Sequence, residues 1–142
     1  MLEAIRRINQ TASFNRWLDL EVTSAGNGEA EIRLDWRPDD FGQYAGFLHA
    51  GLIAAMLDTS CGYAAATVAG KVMASHFSVN CLAPGVGDFF VARGKVVKAG
   101  RKQVFASAEL FAMQGEAAEP RLIATGNAIL VPVDDPARAA GA

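Results

Sequence analysis

At 142 residues the chain has the length of one domain with one core. Its apolar share of 51% excludes a disordered chain. The 13 Lys and Arg against 15 Asp and Glu leave a net charge of -2, so no basic footprint for nucleic acid is present. Two cysteines, Cys61 and Cys81, are too few for a disulfide framework, and free thiols are the expected state.

Residues 2–17 read as one amphipathic helix, with Leu2, Ile5, Ile8 and Ala12 at helical spacing and Glu3, Arg6, Arg7 and Gln10 facing away. They mix charge and polarity and lack the continuous apolar run of a secretory signal, so a cytoplasmic location is expected. Leu18–Ala25 reads as a strand, and Gly26-Asn27-Gly28 as a turn. From Glu29 to Arg37, apolar Ala30, Ile32, Leu34 and Trp36 alternate with charged neighbours, which predicts a hairpin across 18–37. Pro38 closes it and opens a loop over 38–48 rich in Asp, Gly and aromatics.

The stretch Gly46–Thr67 is the longest apolar run, and between Ala50 and Ala69 it carries a single charge, Asp58. The pattern predicts a buried helix from about His49 to Val68, stopped at Gly70. The run has nearly the length of a membrane span, but the central Asp58 and the many Ala, Gly, Ser and Thr residues argue against one. Strands then follow over Val72–Ala83, Phe89–Lys98, Lys102–Met113 and Arg121–Val131, read as a four-strand meander. An all-round apolar helix must be wrapped by a curved antiparallel sheet, which makes this an α+β architecture. A single domain over 1–132 and a flexible tail over 133–142 are expected.

Two places on the long helix carry candidate chemistry. The N–H groups of its first turn, at His49, Ala50 and Gly51, lack intrahelical partners and sit at the positive end of the macrodipole. Such a terminus suits an anion or a carbonyl oxygen under attack, and the small Ala50 and Gly51 allow a ligand close to the backbone; equally, they allow tight helix–sheet packing. Asp58 is either a working carboxylate or one paired with an Arg or capped by Thr59 or Ser60. It lies eight residues after Ala50, about 12 Å along a helix. A carboxylate must come within about 3 Å of the atom it serves. The two half-sites therefore cannot share one reacting carbonyl within one chain. Antiparallel packing of two such helices solves this and predicts a two-fold dimer with composite sites.

Other residues are less specific. His49 is read as an orienting or a structural histidine, since a helix N-terminus disfavours its protonation. His76 shares a strand face with Ser78 and Asn80, which either lines a site or is simply solvated. Cys61 reads as a small buried hydrophobe rather than a nucleophile. No spacing of His and Cys suggests a metal, no glycine-rich phosphate loop is present, and no cofactor is expected.

Gly46-Phe47-Leu48-His49-Ala50-Gly51, followed by Leu57-Asp58 and Gly62-Tyr63-Ala64-Ala65, resembles the hot-dog-fold acyl-CoA thioesterases of the phenylacetyl-CoA thioesterase (PaaI-like) group. Phe77–Gly85, Val91–Arg93, Lys98–Arg101 and Leu122–Gly126 follow the same family's pattern, so the likeness covers residues 15–131. The resemblance implies a hot-dog fold and hydrolysis of an acyl-CoA to a free acid and CoA. Asp58 is then the catalytic carboxylate, as base or nucleophile. The Ala50 N–H holds the thioester oxygen, His49 fixes that loop, and Gln43 lies near the thioester and its water. Gly51, Phe47, Ser75 and His76 fall on the substrate side. Phe47, Met56, Tyr63 and Phe77 are candidates for the acyl pocket, and Arg93, Lys98, Arg101 or Lys102 for the phosphates of CoA. Family sites form between subunits, which implies a homodimer assembled into a dimer of dimers. The chain departs from the family in having Ala50 for Gly, Gln43 for Asn, and Ala74 or His76 beside Ser75 where some members place Ser or Thr. A non-catalytic acyl-CoA binder and a hot-dog hydratase or dehydratase are the competing readings.

Overall fold

A computed structural model describes residues 1–117 and 119–133. The expected tail lies, from residue 134 on, outside the described residues. The elements run α1 (Leu2–Thr11), α2 (Ser13–Leu18), β1 (Glu21–Gly26), β2 (Glu29–Asp35), α3 (Pro38–Phe41), α4 (Ala50–Ala69), β3 (Val72–Cys81), β4 (Phe89–Ala99), β5 (Val104–Met113) and β6 (Arg121–Pro132). Six antiparallel strands form one sheet in the order β1-β2-β4-β5-β6-β3, and α4 packs against it. This is the expected α+β hot-dog arrangement.

The hairpin turn of β1 and β2 falls on Asn27 and Gly28, both at positive φ, as a two-residue hairpin loop requires. Pro38 starts the single-turn α3 instead of a plain loop, its fixed φ suiting a first helical position. The closing strands are not a simple meander. β4, β5 and β6 are consecutive neighbours, but β3 pairs with β6 at the far edge. The connection from β3 back to β4 crosses the end of the sheet. On the way Leu82 and Ala83 donate N–H bonds to Ile123 O, and Asp88 donates to Met113 O. Alternation and turn residues specify that a strand exists, not which neighbour it takes.

The N-terminal segment is also two helices, not one. Ala12 is extended, and a buried polar cluster holds the break. Tyr63 OH donates to Asn9 Oδ1 at 2.8 Å, and Asn15 Nδ2 reaches Asn9 Oδ1 and Tyr63 OH at 3.0 and 2.9 Å. Asn9 Nδ2 donates to Leu20 O at 2.7 Å, closing the set onto the start of β1. Burial pushes the Tyr63 phenol up, so it stays a donor. The buried face is Ile5 and Asn9, while Ile8 is half exposed.

The core lies between α4 and the concave face of the sheet. Leu52, Ile53, Met56, Leu57, Cys61, Ala64 and Ala65 meet Ile32, Leu34, Phe90, Leu110, Ile123 and Leu130 there. By length and composition α4 could cross a bilayer, yet Leu52, Ile53, Met56 and Leu57, its largest aliphatic side chains, are spent on this contact. It is not wrapped all round, as its composition suggested. Asp58, Thr59, Gly62 and Ala66 form a strip that stays partly open.

Close approach of helix and sheet is set by glycine. A Cβ on Gly94 of β4 would stand 2.2 Å from Ser60 O and 2.4 Å from Ser60 C, both backbone atoms of α4. Neither can move without shifting the helix. Gly94→Ala is therefore expected to destabilise the fold by about 3 kcal/mol or more. At this chain length that lowers the melting temperature by roughly 10 °C, measurable by circular dichroism.

Candidate active site

The segment before α4 is built to fix the helix start. Gly42 and Leu48 pair across a tight loop, and Gln43 N–H donates to Phe47 O at 2.8 Å. The Gln43 side-chain Oε1 turns back into this loop and accepts the N–H groups of Ala45 and Phe47. Only its amide NH2 is uncommitted among the described residues. His49 N–H donates to Phe41 O at 3.0 Å, and Leu48 N–H donates to Gly85 O at 3.0 Å. That second bond ties the helix start to the sheet-end crossing. Gly85 lies so close that a Cβ there would meet Leu48 Cβ at 2.7 Å.

His49 is the N-cap of α4. Its Nδ1 accepts the Gly51 N–H at 2.8 Å. With Nδ1 engaged as the cap acceptor, Nε2 is the ring's remaining polar atom. Leu52 and Ile53 both donate to His49 O, at 2.9 and 3.2 Å. Of the four N–H groups in the first turn of α4, three are thus committed. The N–H of Ala50 alone has no partner among the described residues, and Ala50 itself is exposed. His49→Ala removes the cap and is expected to cost ~1 kcal/mol in chemical denaturation. His49→Asn, which keeps a capping acceptor, should restore most of it.

Asp58 sits two turns further along. α4 is continuous from Ala50 to Ala69, so the two features stay about 12 Å apart along its axis. Among the described residues Asp58 has neither an Arg partner nor a Thr59 or Ser60 cap that would make it structural. No hydrogen bond or ion pair to it exists among the described residues, and the Ser60 hydroxyl donates to Leu57 O instead. Partial burial pushes the carboxyl above the usual carboxylate range. Cys61, one turn on, is fully buried. Burial first and the Asp58 charge second push its thiol up to about 12, so it is no nucleophile.

Asp58 opens into a groove of about 320 Å³ between α1–α2, the open strip of α4, and β3. β3 reaches the groove through Val72 and Ala74. A bulge between Ala74 and His76 makes Ser75 the extra residue on this strand, and its hydroxyl donates to Ile129 O at 3.3 Å. His76, Ser78 and Asn80 pair with Ile129, Asn127 and Thr125. Their partners alternate with the buried Ala124, Ala128 and Leu130, so His76 faces away from α4. The structure therefore brings Gln43, Phe47, His49, Ala50 and Gly51 together at one place and Asp58 with Ala74 at another. His76 joins neither within this chain. Of the candidate pocket residues, Met56 is core, Tyr63 borders the groove, and Phe47 and Phe77 are exposed. Arg93 is exposed, and its Nε bonds Glu31 at 2.9 Å.

Sequence reasoning missed the groove. Its one visible sign was Gly62, a glycine in mid-helix where helix propensity disfavours it. No group of three or more His, Cys, Asp or Glu that could hold a metal exists among the described residues.

Comparison with known proteins bears on the family and the fold. The sequence profile of the Thioesterase superfamily matches residues 45–119, from the loop before α4 to the end of the β5–β6 connection. A crystal structure of a thioesterase family protein from Silicibacter pomeroyi superposes with a TM-score of 0.84 at 32% identity, covering 89% of this chain and 93% of that one. A Saccharolobus solfataricus protein carrying the name of an esterase is 29% identical over 102 residues, 70% of this chain and 72% of its own. The PaaI protein from the phenylacetic acid degradation operon of E. coli shares the fold, with a TM-score of 0.81 at 17% identity over 91% of this chain and 90% of that one.

Proposed function

The chain belongs to the thioesterase superfamily, and on that footing we propose that it hydrolyses an acyl-CoA thioester to a free carboxylic acid and CoA. The carrying observation is the one first-turn N–H left uncommitted among the described residues, at Ala50, on the same helix as Asp58, a half-buried carboxylate with no partner among those residues. The thioester oxygen accepts the Ala50 N–H. Asp58 of a second copy takes a proton from water as the water oxygen adds to the thioester carbon. The resulting oxyanion is held at the helix start, where the macrodipole favours negative charge. Collapse breaks the carbon–sulfur bond, and the CoA thiolate leaves and takes up the proton. Direct attack by the Asp58 carboxylate, followed by hydrolysis of the anhydride, uses the same two groups. His49 fixes the donor, Gln43 presents its amide NH2 beside it, and Gly51 and Phe47 border the thioester.

The composite site follows from the ~12 Å that separate the two features along one helix. The free edge of β3 supports it. This edge is ten residues long, exposed along most of its length, and carries Met73 and Phe77 in the open. An unprotected edge of that kind is a template for another strand. The opposite edge, β1, is only six residues long and interrupted by a bulge. Two chains joined along β3 make a homodimer with two sites, and pairs of dimers give the tetramer. Residues 1–132 form the whole catalytic domain on this reading.

A thiol-release assay over a panel of acyl-CoAs tests the chemistry, with light scattering on the eluting protein for the assembly. CoA release by a dimer or tetramer is the expected result. Binding without release, hydration of an enoyl-CoA, or an active monomer overturns the proposal.

A further inference from the structure

We infer that Gly85, in the crossing from β3 to β4, is a positioning residue for the Ala50 N–H. Its carbonyl and its lack of a side chain together set where the start of α4 stands. This rests on the thioesterase reading above and adds to it a residue that touches no substrate.

Ala50 carries its N–H on the peptide shared with His49, so the direction of that N–H follows from how the preceding residues are held. Leu48 N–H donates to Gly85 O at 3.0 Å, and His49 N–H donates to Phe41 O at 3.0 Å. The first bond reaches the crossing and the second reaches the end of α3. Two different elements thus clamp the two residues before the donor. The crossing is itself anchored on both sides of Gly85. Leu82 and Ala83 donate to Ile123 O at 2.8 and 3.2 Å. Asp88 donates to Met113 O at 2.8 Å and accepts the Trp36 N–H at 3.0 Å. Residues 82–88 therefore form a brace fixed to the sheet at each end, and the helix start leans on its middle.

Gly85 is glycine for reasons of space, not of conformation. It is not among the glycines at positive φ, so alanine suits its backbone. It is buried, and a Cβ there would stand 2.7 Å from Leu48 Cβ and 3.5 Å from Ile123 Cδ1. Carbon atoms in contact sit at about 3.5–4.0 Å. Leu48 Cβ is bonded to its own Cα, so no change of rotamer relieves the overlap. Leu48 is buried, and the brace is fixed at both ends. A displacement of about 1 Å then falls on the helix start, and misplacement of that size can cost ~10²-fold in rate. Gly94 admits the body of α4 to the sheet, whereas Gly85 places its first turn.

The test uses the full-length oligomer. In Gly85→Ala, kcat for a good acyl-CoA is expected to fall ~10²-fold. KM, and the affinity for S-octyl-CoA, a thioether that cannot be hydrolysed, should stay within about 3-fold of wild type. Ala50→Pro deletes the donor itself, so adding Gly85→Ala to it should lower kcat by no more than ~3-fold further, whereas independent lesions would multiply. Amide exchange followed by mass spectrometry reads the same link without turnover: exchange at Leu48 and His49 should quicken at least ~10-fold while β4 and β5 keep their rates. A kcat within about 3-fold of wild type, full multiplication in the double variant, or exchange that rises evenly along the chain overturns the inference and leaves thioester hydrolysis standing. A wild type that releases no CoA from any acyl-CoA defeats the thioesterase reading, and the exchange pattern alone then decides whether Gly85 holds the helix start. Where Gly85→Ala does not assemble, a backbone ester at Leu48 (leucic acid in place of leucine) removes only the N–H that Gly85 O accepts. A loss of about 10-fold in kcat at unchanged KM is expected from it, and wild-type kcat overturns the inference.

Discussion

Asp58→Asn is expected to lower kcat for a good acyl-CoA by ~10³-fold, the range lost when a positioned general base or nucleophile is removed. The amide fills the same volume, so the oligomer should persist, and steady-state thiol release together with light scattering separates the two effects. Stability should move the other way. Burial raises the Asp58 carboxyl above its unfolded value, so the folded state binds its proton more tightly than the unfolded chain does. Wild-type stability is then fullest below the ordinary carboxylate range and declines as pH rises through the folded value. Asn carries no such penalty, so the variant gains on the wild type across that window and keeps the gain at neutral pH. Denaturation midpoints of both proteins between pH 3 and 8 read the sign directly. The acid limb of wild-type kcat should fall in the same displaced range, since only the ionised carboxylate accepts a proton. A variant with near-normal turnover sinks the mechanism.

The second large effect is Ala50→Pro. Proline deletes one backbone N–H and nothing else if the conformation tolerates it. Here it does: Ala50 is the first residue of α4, where proline is favoured, and its N–H bonds to nothing among the described residues. The preceding His49 has φ -63 and ψ 135, the extended conformation that a residue before proline requires. The substitution should leave the melting temperature within a few degrees of wild type and lower kcat by 10²–10³-fold, the loss typical of one oxyanion donor. Substrate binding, judged by S-octyl-CoA, should change far less than turnover. Equal losses in both would mean that the Ala50 N–H serves binding and not the transition state.

The parts of this fold that were legible in the sequence are those with local chemistry. His49 and Gly70 bound α4 because an N-cap acceptor and a residue at positive φ act over one turn. Asn27-Gly28 fixed the first hairpin for the same reason. The break at Ala12 was not legible, because it depends on Tyr63, some fifty residues away, meeting Asn9 and Asn15. The position of β3 beside β6 was hidden because a strand's alternation says nothing about its neighbour. The open strip on α4 was masked by composition: a helix of Ala, Gly, Ser and Thr looks uniformly buriable, and only the shape of the sheet leaves Asp58, Thr59 and Gly62 uncovered. Within the site, Asp58 and the helix start were visible as the odd charge and the capped terminus. That Ala50 holds the one first-turn N–H free among the described residues, and that Gln43 spends its carbonyl on its own loop, required the hydrogen bonds themselves.

The unbroken run of α4 from Ala50 to Ala69 has a genetic consequence. If Ala50 and Asp58 of one helix can never serve one substrate together, then Asp58→Asn and Ala50→Pro damage different halves of every site. A mixed dimer places both lesions in one site and leaves the other wild type. Two inactive proteins, co-expressed, should therefore complement one another and recover about half the activity of the wild type in each mixed dimer, while either one alone carries its lesion in both sites and stays inactive.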